Sequence, residues 1–451
     1  MTMHGSCAEL YRQKLATAAE AVRLIPSGAK VVLPPAAGAP PAMLAALADR
    51  ARAGGVTDLQ LYYMLSAACA GGTVLAPDLM DHVTPMSFFH GSVERELDAF
   101  NRAHGKPAVP MLPCHFHQVP RAMVDAIGVD TLIATVSPMD ERGNFSLGTN
   151  VDYTLGVARK PGIRIILEVN PDMPRTFGDC EIHVSDVMAL VEHAAPLPCL
   201  GPTPRIATDD MIGAIIAGLV EDGACLQMGI GALPNAVCAN LHGHRNLGIH
   251  TEMMTSGLAD LMKAGVVDNS RKQTHVGRSV FTFALGDQSL YDFLHENPAM
   301  EARPVDYVNN PTIIARNDRV LSVNATLQID LSGACNSEVV NGRQFSASGG
   351  QLDFVRGAYA SNGGKSIIAC HSTAARGSIS RIAAQLTGPV TTPRNDTHII
   401  VTEFGWLDLK GKSLAERAAG LIALAHPNFR DELGEDAHNS GLVPRRLFTT
   451  S

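Results

Sequence analysis

The sequence is poor in aromatic residues and in charges for its length. Aromatic residues fill 5% of its 451 positions, with a single tryptophan, charged residues fill 18%, and hydrophobic residues fill 46%. This balance excludes a disordered chain and is typical of a folded protein with a large core. No stretch approaches the roughly 20 uninterrupted apolar residues of a membrane span, and residues 1–12 hold no apolar signal segment. We therefore expect an intracellular, cytoplasmic protein that does not associate with membranes.

Excess positive charge and paired cysteines are also missing. The formal net charge is −8, which gives no general field for nucleic acid. The nine cysteines are an odd number without the spacing of metal ligands, so we expect reduced thiols, no disulfide framework and no metal. His115 and His117 could face one side of a strand and bind a metal, but no third ligand follows at a suitable spacing. Surface or substrate-lining histidines are the favoured interpretation.

Apolar strand-like runs alternate with helical periodicities along the whole chain, which is the signature of an α/β fold. The chain is longer than one core usually supports, so two domains are expected. Residues 193–204 contain four prolines and form the best linker. This predicts an N-terminal domain over residues 1–198 and a C-terminal domain over residues 205–451.

The two halves share a local pattern. Residues 31–41 and residues 226–234 each read as a strand, a turn of small residues, a proline and a helix. We interpret this as a sign that the halves are structurally related. The predicted fold class is therefore α/β, with two related, open, mainly parallel-sheet domains.

A carboxylate and a glycine-rich turn are predicted to meet at one edge of the second sheet. Residues 246–252 read as a buried parallel strand ending at Glu252, and residues 229–234, Gly-Ile-Gly-Ala-Leu-Pro, connect a strand end to a helix start. Bare N–H groups at a helix start suit a phosphate or a developing oxyanion. The pair thus suggests a nucleophile facing backbone donors. The alternative is a solvated glutamate beside an ordinary turn.

Other candidate residues carry a weaker signal. Gly349-Gly350 and residues 362–365 are glycine-rich stretches that either approach a ligand or form ordinary turns. Asn324 is either a turn residue or an amide that orients a carbonyl group. Glu403, at another predicted strand end, is either catalytic or a structural partner of a neighbouring residue. The turn at residues 229–234 matches neither nucleotide-binding fingerprint, and no nucleophile elbow is present.

Longer segments show a resemblance that covers nearly the whole chain. Residues 136–148, 169–176, 229–237, 250–253 and 349–358 together resemble the acetyl-CoA hydrolase/transferase family, in the branch of 4-hydroxybutyrate CoA-transferases. The resemblance implies two related open α/β domains with the active site between them. It also implies a homodimer or homotetramer.

The resemblance also implies roles for individual residues. Glu252 matches the family's nucleophilic glutamate, and Asn324 and Glu403 match positions near the site. The predicted contacts with coenzyme A, which is a co-substrate of this family, are Gly229, Ile230, Gly231, Ala232, Gly349, Gly350 and Lys365. The basic residues of the second half that could meet the CoA phosphates, or simply lie in solvent, are Lys263, Arg271, Lys272, Lys365, Arg376 and Arg381.

The expected activity is transfer of CoA from an acyl-CoA to a small carboxylate. Acetate, butyrate, 4-hydroxybutyrate and a short dicarboxylate such as succinate or itaconate are the candidate acceptors, and a dicarboxylate would need a second cation, for which Arg121, Arg142 and Arg175 are candidates. The competing functions are an acyl-CoA hydrolase that uses the same glutamate, a non-catalytic module that binds CoA or a nucleotide, and a sugar-phosphate isomerase.

Overall fold

The structure, a computed structural model, describes residues 3–201 and 204–444. Contacts within it define two compact units. Among the described residues, unit 1 comprises 3–201, Glu252–Ser256 and Val280–Val308, and unit 2 comprises the rest. The predicted division at residues 198 and 205 does not include the two later stretches of unit 1. Pro202 and Thr203 of the predicted linker lie outside the described residues.

The strands are numbered in chain order. Up to residue 201 they are β1 (Lys30–Val32), β2 (Leu59–Met64), β3 (Val83–Phe89), β4 (Thr131–Val136), β5 (Asn144–Ser146), β6 (Arg164–Val169), β7 (Phe177–Gly178), β8 (Glu181–His183) and β9 (Ala189–Glu192). Beyond residue 204 they are β10 (Cys225–Met228), β11 (Gly248–Met254), β12 (Ser279–Ala284), β13 (Met300–Ala302), β14 (Val320–Ala325), β15 (Gln328–Asp330), β16 (Cys335–Asn336), β17 (Val339–Val340), β18 (Arg343–Gln344), β19 (Lys365–Ala369), β20 (Thr373–Ala374), β21 (Ile379–Ser380), β22 (Ile382–Ala383), β23 (Ile399–Thr402) and β24 (Gly405–Asp408).

The α-helices alternate with these strands. They are α1 (Met3–Lys14), α2 (Ala18–Ala21), α3 (Pro41–Arg52), α4 (Ala68–Gly71), α5 (Ser92–Ala103), α6 (Val119–Arg121), α7 (Asp152–Ala158), α8 (Ala207–Ala217), α9 (Ala232–Ala239), α10 (Ser256–Lys263), α11 (Gln288–Leu294), α12 (Val305–Val308), α13 (Pro311–Ile314), α14 (Gln351–Ala360), α15 (Leu414–Leu424) and α16 (Pro427–Asn439). None of the helices in the described part of the chain is long and apolar enough to cross a membrane.

Unit 1 is built on a parallel sheet with the strand order β3-β2-β1-β4-β6-β9. All six residues of β4 are buried, as expected for a parallel strand that is covered on both faces by helices. The core contains Leu44, Leu61 and Ile133, each with no exposed surface. The strand order reverses direction between β1 and β4, which is where open α/β sheets place a crevice.

The later stretches of unit 1 bond to its first 201 residues. β13 pairs in parallel with β7, where Glu301 lies opposite Phe177. Val151 donates its N–H to the carbonyl of Thr282 at 3.2 Å, and the Tyr291 hydroxyl donates to the carbonyl of Pro198 at 2.5 Å. The first 201 residues are therefore incomplete as a folded unit without residues 280–308.

Unit 2 repeats this arrangement with its own strands. Its strands follow the order β24-β23-β19-β14-β10-β11 within a sheet that has nine strands in the described chain, and every pairing among these six is parallel except that of the edge strand β24. The first strand of each unit lies inside its sheet: β1 lies between β2 and β4, and β10 lies between β11 and β14. The predicted α/β fold class with mainly parallel sheets is confirmed, and the interior position of the first strand in both units agrees with the similarity between residues 31–41 and 226–234.

One strand extends further than predicted. β11 continues through Met254, so Glu252 is the fifth residue of the strand and not its end. The strand continues because Met253 and Met254 are apolar and buried. The chain passes from unit 2 to unit 1 within this strand, at Glu252.

A buried carboxyl group in unit 1 predicts a pH-dependent stability. Asp152 is fully buried and accepts hydrogen bonds from the backbone and hydroxyl of Thr154 and from the Asn150 amide. Burial raises its pKa from 3.8 to about 6. The folded state therefore keeps a proton that the unfolded state loses near pH 4, so stability falls as the pH rises from about 4 to about 6.

We expect Asp152→Asn to remove this dependence. Relative to the variant, the wild-type free energy of unfolding should fall by up to about 3 kcal/mol between about pH 4 and about pH 7. Chemical denaturation of both proteins across this range measures the difference. Asp58→Asn, at an exposed position, is the control and should follow the wild type. Parallel curves for wild type and Asp152→Asn would contradict the assignment.

Candidate active site

The carboxyl ends of four neighbouring strands of unit 2 lie level with one another. Met228 of β10 pairs with Val323 of β14, and Ala369 of β19 pairs with both Ala325 and Val401. Side chains and turns that follow these positions are therefore delivered to one edge of the sheet, where ligands of open α/β sheets bind.

The first of these turns is the predicted glycine-rich segment after β10. Gly229 donates its N–H to the Val323 carbonyl at 3.1 Å, which ties the turn to β14. Gly231 has φ 109 and ψ −172, a conformation that side-chain-bearing residues rarely adopt, and α9 begins directly after it at Ala232. Ile230 is 49% exposed. Among described residues, none accepts a hydrogen bond from the N–H groups of Ile230, Gly231 or Ala232, so these donors can meet an anion.

Asn324 lies on β14 beside this turn. Its amide nitrogen donates to the side-chain oxygen of Gln227, a buried residue of β10, at 3.2 Å. This bond fixes the orientation of the Asn324 amide, which leaves its oxygen directed away from Gln227. Of the two alternatives for Asn324, this position favours an amide that orients a carbonyl group over a turn residue.

Glu403 follows β23 in a two-residue hairpin, since Thr402 pairs with Gly405. Its carboxylate accepts the N–H of Ser372 at 2.9 Å and the Ser372 hydroxyl at 2.5 Å. Ser372 is buried just beyond the end of β19. These two bonds favour the structural alternative for Glu403, in which it fixes the chain that leaves β19.

The second glycine turn precedes α14. Gly350 is the residue before the first turn of this helix, and Gly349 has φ 50. Both glycines are buried. Among the described residues, no acceptor bonds to their N–H groups. They therefore offer a second set of backbone donors at a helix start.

Lys365 is not brought together with the other predicted contacts. It is the first residue of β19, at the opposite end of that strand from Ala369. Its ammonium group bonds to Glu221 at 2.6 Å and to the Leu219 carbonyl at 3.0 Å. This position and this ion pair favour a structural role, and we leave Lys365 out of the site that we propose.

Glu252 is half-buried within β11. It lies three residues beyond Ile249, which pairs with Leu226, and Gly229 lies three residues beyond Leu226. The buried ammonium group of Lys272 donates to the Ile249 carbonyl at 2.8 Å and braces this strand. Because side chains alternate along a strand, Glu252 shares the face of His250. The His250 ring lies 6.4 Å from that of Phe354 on α14.

Two residues at this edge, His371 and Asp209, were not predicted as site residues from the sequence. His371, two residues beyond β19, places its Nε2 2.8 Å from a carboxylate oxygen of Asp209, whose other oxygen accepts the Ile206 N–H. In the sequence, His371 stands directly after the apolar residues 367–370, and its partner lies 162 positions away in the chain.

The predicted histidine pair does not lie on a strand. Phe116–Gln118 is a short 3-10 turn, and the rings of His115 and His117 stack 6.3 Å apart. Within residues 3–201 and 204–444, no group of three His, Cys, Asp or Glu side chains could hold a metal ion.

The strand order and the residues at the carboxyl edge define an α/β protein that presents backbone N–H donors and polar side chains at the ends of parallel strands. The N-terminal domain of acetyl-CoA hydrolase/transferase matches residues 4–200, and the C-terminal domain of the same family matches residues 286–437. The chain belongs to the acetyl-CoA hydrolase/transferase family, which confirms the resemblance found in the sequence.

Individual relatives are similar over almost their whole length. Succinyl-CoA:cyclohexane-1-carboxylate CoA transferase of Geobacter metallireducens is 44% identical over 96% of this chain and 97% of its own. The 4-hydroxybutyrate coenzyme A transferase of Clostridium kluyveri is 42% identical over 94% and 97%. The crystal structure of RipA from Yersinia pestis is 53% identical, with a TM-score of 0.94 over 97% of this chain and 99% of that one. By class, the chain is a CoA-transferase.

Proposed function

We propose that this protein transfers CoA from an acyl-CoA to a small carboxylate through a thioester on Glu252. The observation that carries the proposal is the placement of Glu252 on β11, at the same distance beyond the Leu226–Ile249 pair as Gly229. Strand β11, which carries Glu252, pairs with β10, the strand that leads into the N–H donors of residues 230–232. Membership of the hydrolase/transferase family supports the same chemistry.

The reaction needs no net proton transfer. A Glu252 oxygen attacks the thioester carbonyl carbon, and the C–S bond breaks to give an acyl-glutamyl anhydride and CoA thiolate. The thiolate then attacks the Glu252 carbonyl carbon, which releases the donor carboxylate and leaves a glutamyl-CoA thioester. An acceptor carboxylate reverses both steps: it forms a new anhydride with Glu252, and the thiolate takes its acyl group. The scheme is ping-pong.

Each step passes through a tetrahedral intermediate with a negative oxygen. The N–H groups of Ile230, Gly231 and Ala232, at the start of α9, are the donors that we assign to it. One such donor contributes roughly 3 to 4 kcal/mol to the transition state. Gly349 and Gly350 supply a second set of N–H groups, which we assign to contacts with CoA.

The choice of acceptor acid depends on whether the acyl pocket holds a second cation. A monocarboxylate acceptor such as acetate, butyrate, 4-hydroxybutyrate or an alicyclic acid needs no second cation. Of the candidates for a dicarboxylate, Arg175 is 15% exposed and ion-paired with Asp140 at 2.6 Å and with Glu181 at 3.2 Å. Arg121 pairs with Asp125 at 3.4 Å. These ion pairs make Arg121 and Arg175 poor ligands for a second carboxylate, so Arg142, which is exposed, is the remaining candidate of the three.

Hydrolysis of the same intermediate is the second candidate function, because the family contains hydrolases as well as transferases. The transferase and the hydrolase differ in whether water reaches the glutamyl thioester. Release of free CoA without an acceptor acid, at a rate similar to transfer, would favour the hydrolase. A non-catalytic CoA-binding module would show no turnover with any acceptor.

The proposal is tested by trapping the intermediate. The protein is mixed with an acyl-CoA, treated with borohydride, digested and analysed by mass spectrometry. Reduction of the Glu252 side chain to an alcohol is the expected result, and it should disappear when excess acceptor acid is added first. Modification at another carboxylate, or none, would reject the role of Glu252. A panel of acceptor acids then identifies the substrate.

A further inference from the structure

The six basic residues that could meet the CoA phosphates fall into distinct groups in the structure. Lys263 lies 3.6 Å from the carboxylate of Asp260, and Lys365 is paired with Glu221. Lys272 is buried and donates to two backbone carbonyls. An ammonium group that is already paired or buried in this way is a poor phosphate ligand.

The arginines differ in which end of the sheet they occupy. Arg271 lines a cavity with Gly223, Asn246 and Arg319, residues that precede β10, β11 and β14. Arg376 and Arg381 instead belong to the chain that leaves the carboxyl end of β19. They are on the same edge as the Gly229 turn.

Arg376 stands at the exposed tip of a small hairpin. Strands β20 and β21 pair with Thr373 opposite Ser380. Between them, Ala375 has φ 48 and Arg376 has φ 58, both in the left-handed region that side-chain-bearing residues seldom adopt. Residues 375–379 are exposed. Within the described chain, no carboxylate lies within ion-pair distance of the Arg376 guanidinium.

Arg381 anchors the base of the same hairpin. Its backbone N–H donates to the Ser372 carbonyl at 2.9 Å, and its guanidinium donates to the Thr326 carbonyl at 3.1 Å. The buried Nε of Arg381 has no hydrogen-bond partner in the part of the chain that the structure describes. Among residues 3–201 and 204–444, no carboxylate forms an ion pair with the Arg381 guanidinium either.

The acidic groups next to the hairpin are occupied. Asp209 is bound to His371 and to the Ile206 N–H, and Glu403 is bound to Ser372. The chain from residue 372 to residue 395 contains no Asp or Glu, although the whole protein carries a net charge of −8. The hairpin thus carries two arginines, several hydroxyl groups and no carboxylate of its own, on a protein that is acidic overall.

We propose that residues 372–381 bind the phosphate groups of CoA, with Arg376 and Arg381 as the guanidinium ligands. The inference rests on the proposed function, because that function supplies the ligand. Guanidinium groups bind phosphate oxygens in paired, charge-assisted hydrogen bonds. In an acidic protein, two arginines without carboxylate partners at the ligand-binding edge are suited to this task.

The test measures binding of CoA to the full chain by calorimetry. Arg376→Ala should raise the Kd for CoA about tenfold, and added salt should shrink the difference from wild type. Arg381→Lys should also weaken CoA binding. Because it keeps a cation near Thr326, it replaces Arg381→Ala in the test if that variant does not fold. Arg271→Ala is the matched control, an exposed arginine at the opposite end of the strands, and should bind CoA as the wild type does.

An acyl-pantetheine thioester, which lacks the nucleotide, separates phosphate recognition from chemistry. Wild type and Arg376→Ala should turn it over at the same kcat/KM. Equal Kd values for CoA in Arg376→Ala and wild type would overturn the inference while leaving the proposed function intact. If Arg376→Ala lost as much kcat/KM with acyl-pantetheine as it loses affinity for CoA, the inference would also be overturned. Failure of the wild type itself to bind CoA would remove the proposed function and this inference together.

Discussion

Glu252→Gln is expected to lower kcat for CoA transfer by at least about a thousandfold, because an amide cannot form the anhydride or the thioester that we propose. The change is nearly isosteric at a half-buried position, so folding and CoA binding should persist. Initial rates of acyl-CoA formation, with the Kd for CoA measured in parallel, test this expectation. A Kd close to that of the wild type, together with lost turnover, assigns the defect to chemistry.

Glu435→Gln provides the comparison, since Glu435 is exposed on α16. It should keep the wild-type rate. A Glu252→Gln protein that retains more than about a tenth of the wild-type kcat would show that another group attacks the thioester.

Gly231→Ala is expected to reduce kcat by roughly 10²- to 10³-fold. A Cβ built on Gly231 meets no atom within 4 Å, so the substitution causes no clash. The effect arises because φ 109 is unfavourable for alanine, and the turn must change its backbone angles. The N–H groups of residues 230–232 would then point away from the oxyanion. Steady-state kinetics with saturating acyl-CoA measures the loss.

Gly265→Ala is the matched control for this change. Gly265 also has a positive φ, 74, and also has no atom within 4 Å of an added Cβ, but it follows α10 away from the turn. Its substitution should cost about 1 kcal/mol in stability and leave kcat unchanged. Equal kinetic effects from the two substitutions would mean that the Gly231 result reports general destabilisation.

Strands with continuous apolar character were predictable from the sequence. The mainly apolar runs at residues 59–64, 131–136 and 225–228 form strands with these limits in the structure, because buried parallel strands require apolar side chains on both faces. The predicted end of β11 at Glu252 was wrong by two residues, because the strand continues through Met254. Polar residues at 250–252 suggested a strand end, whereas His250 and Thr251 are buried within the strand.

The site was predictable only where a strand end and its turn are consecutive in the chain. The turn at 229–232 and the position of Glu403 after β23 were read directly from neighbouring residues. The bonds of Glu403 to Ser372 and of His371 to Asp209 join residues far apart in the chain, and no local pattern contains that information. For the same reason, the ion pair of Lys365 with Glu221 could not be anticipated.

The assembly of unit 1 from separate stretches sets the order in which it is completed during translation. A nascent chain released as far as Gly201 lacks the partners of β7 and of the Val151 N–H, which come from residues 280–302. Unit 1 cannot reach its final structure until most of the polypeptide has left the ribosome. A fragment truncated at residue 201 should therefore aggregate, although its own parallel sheet is complete.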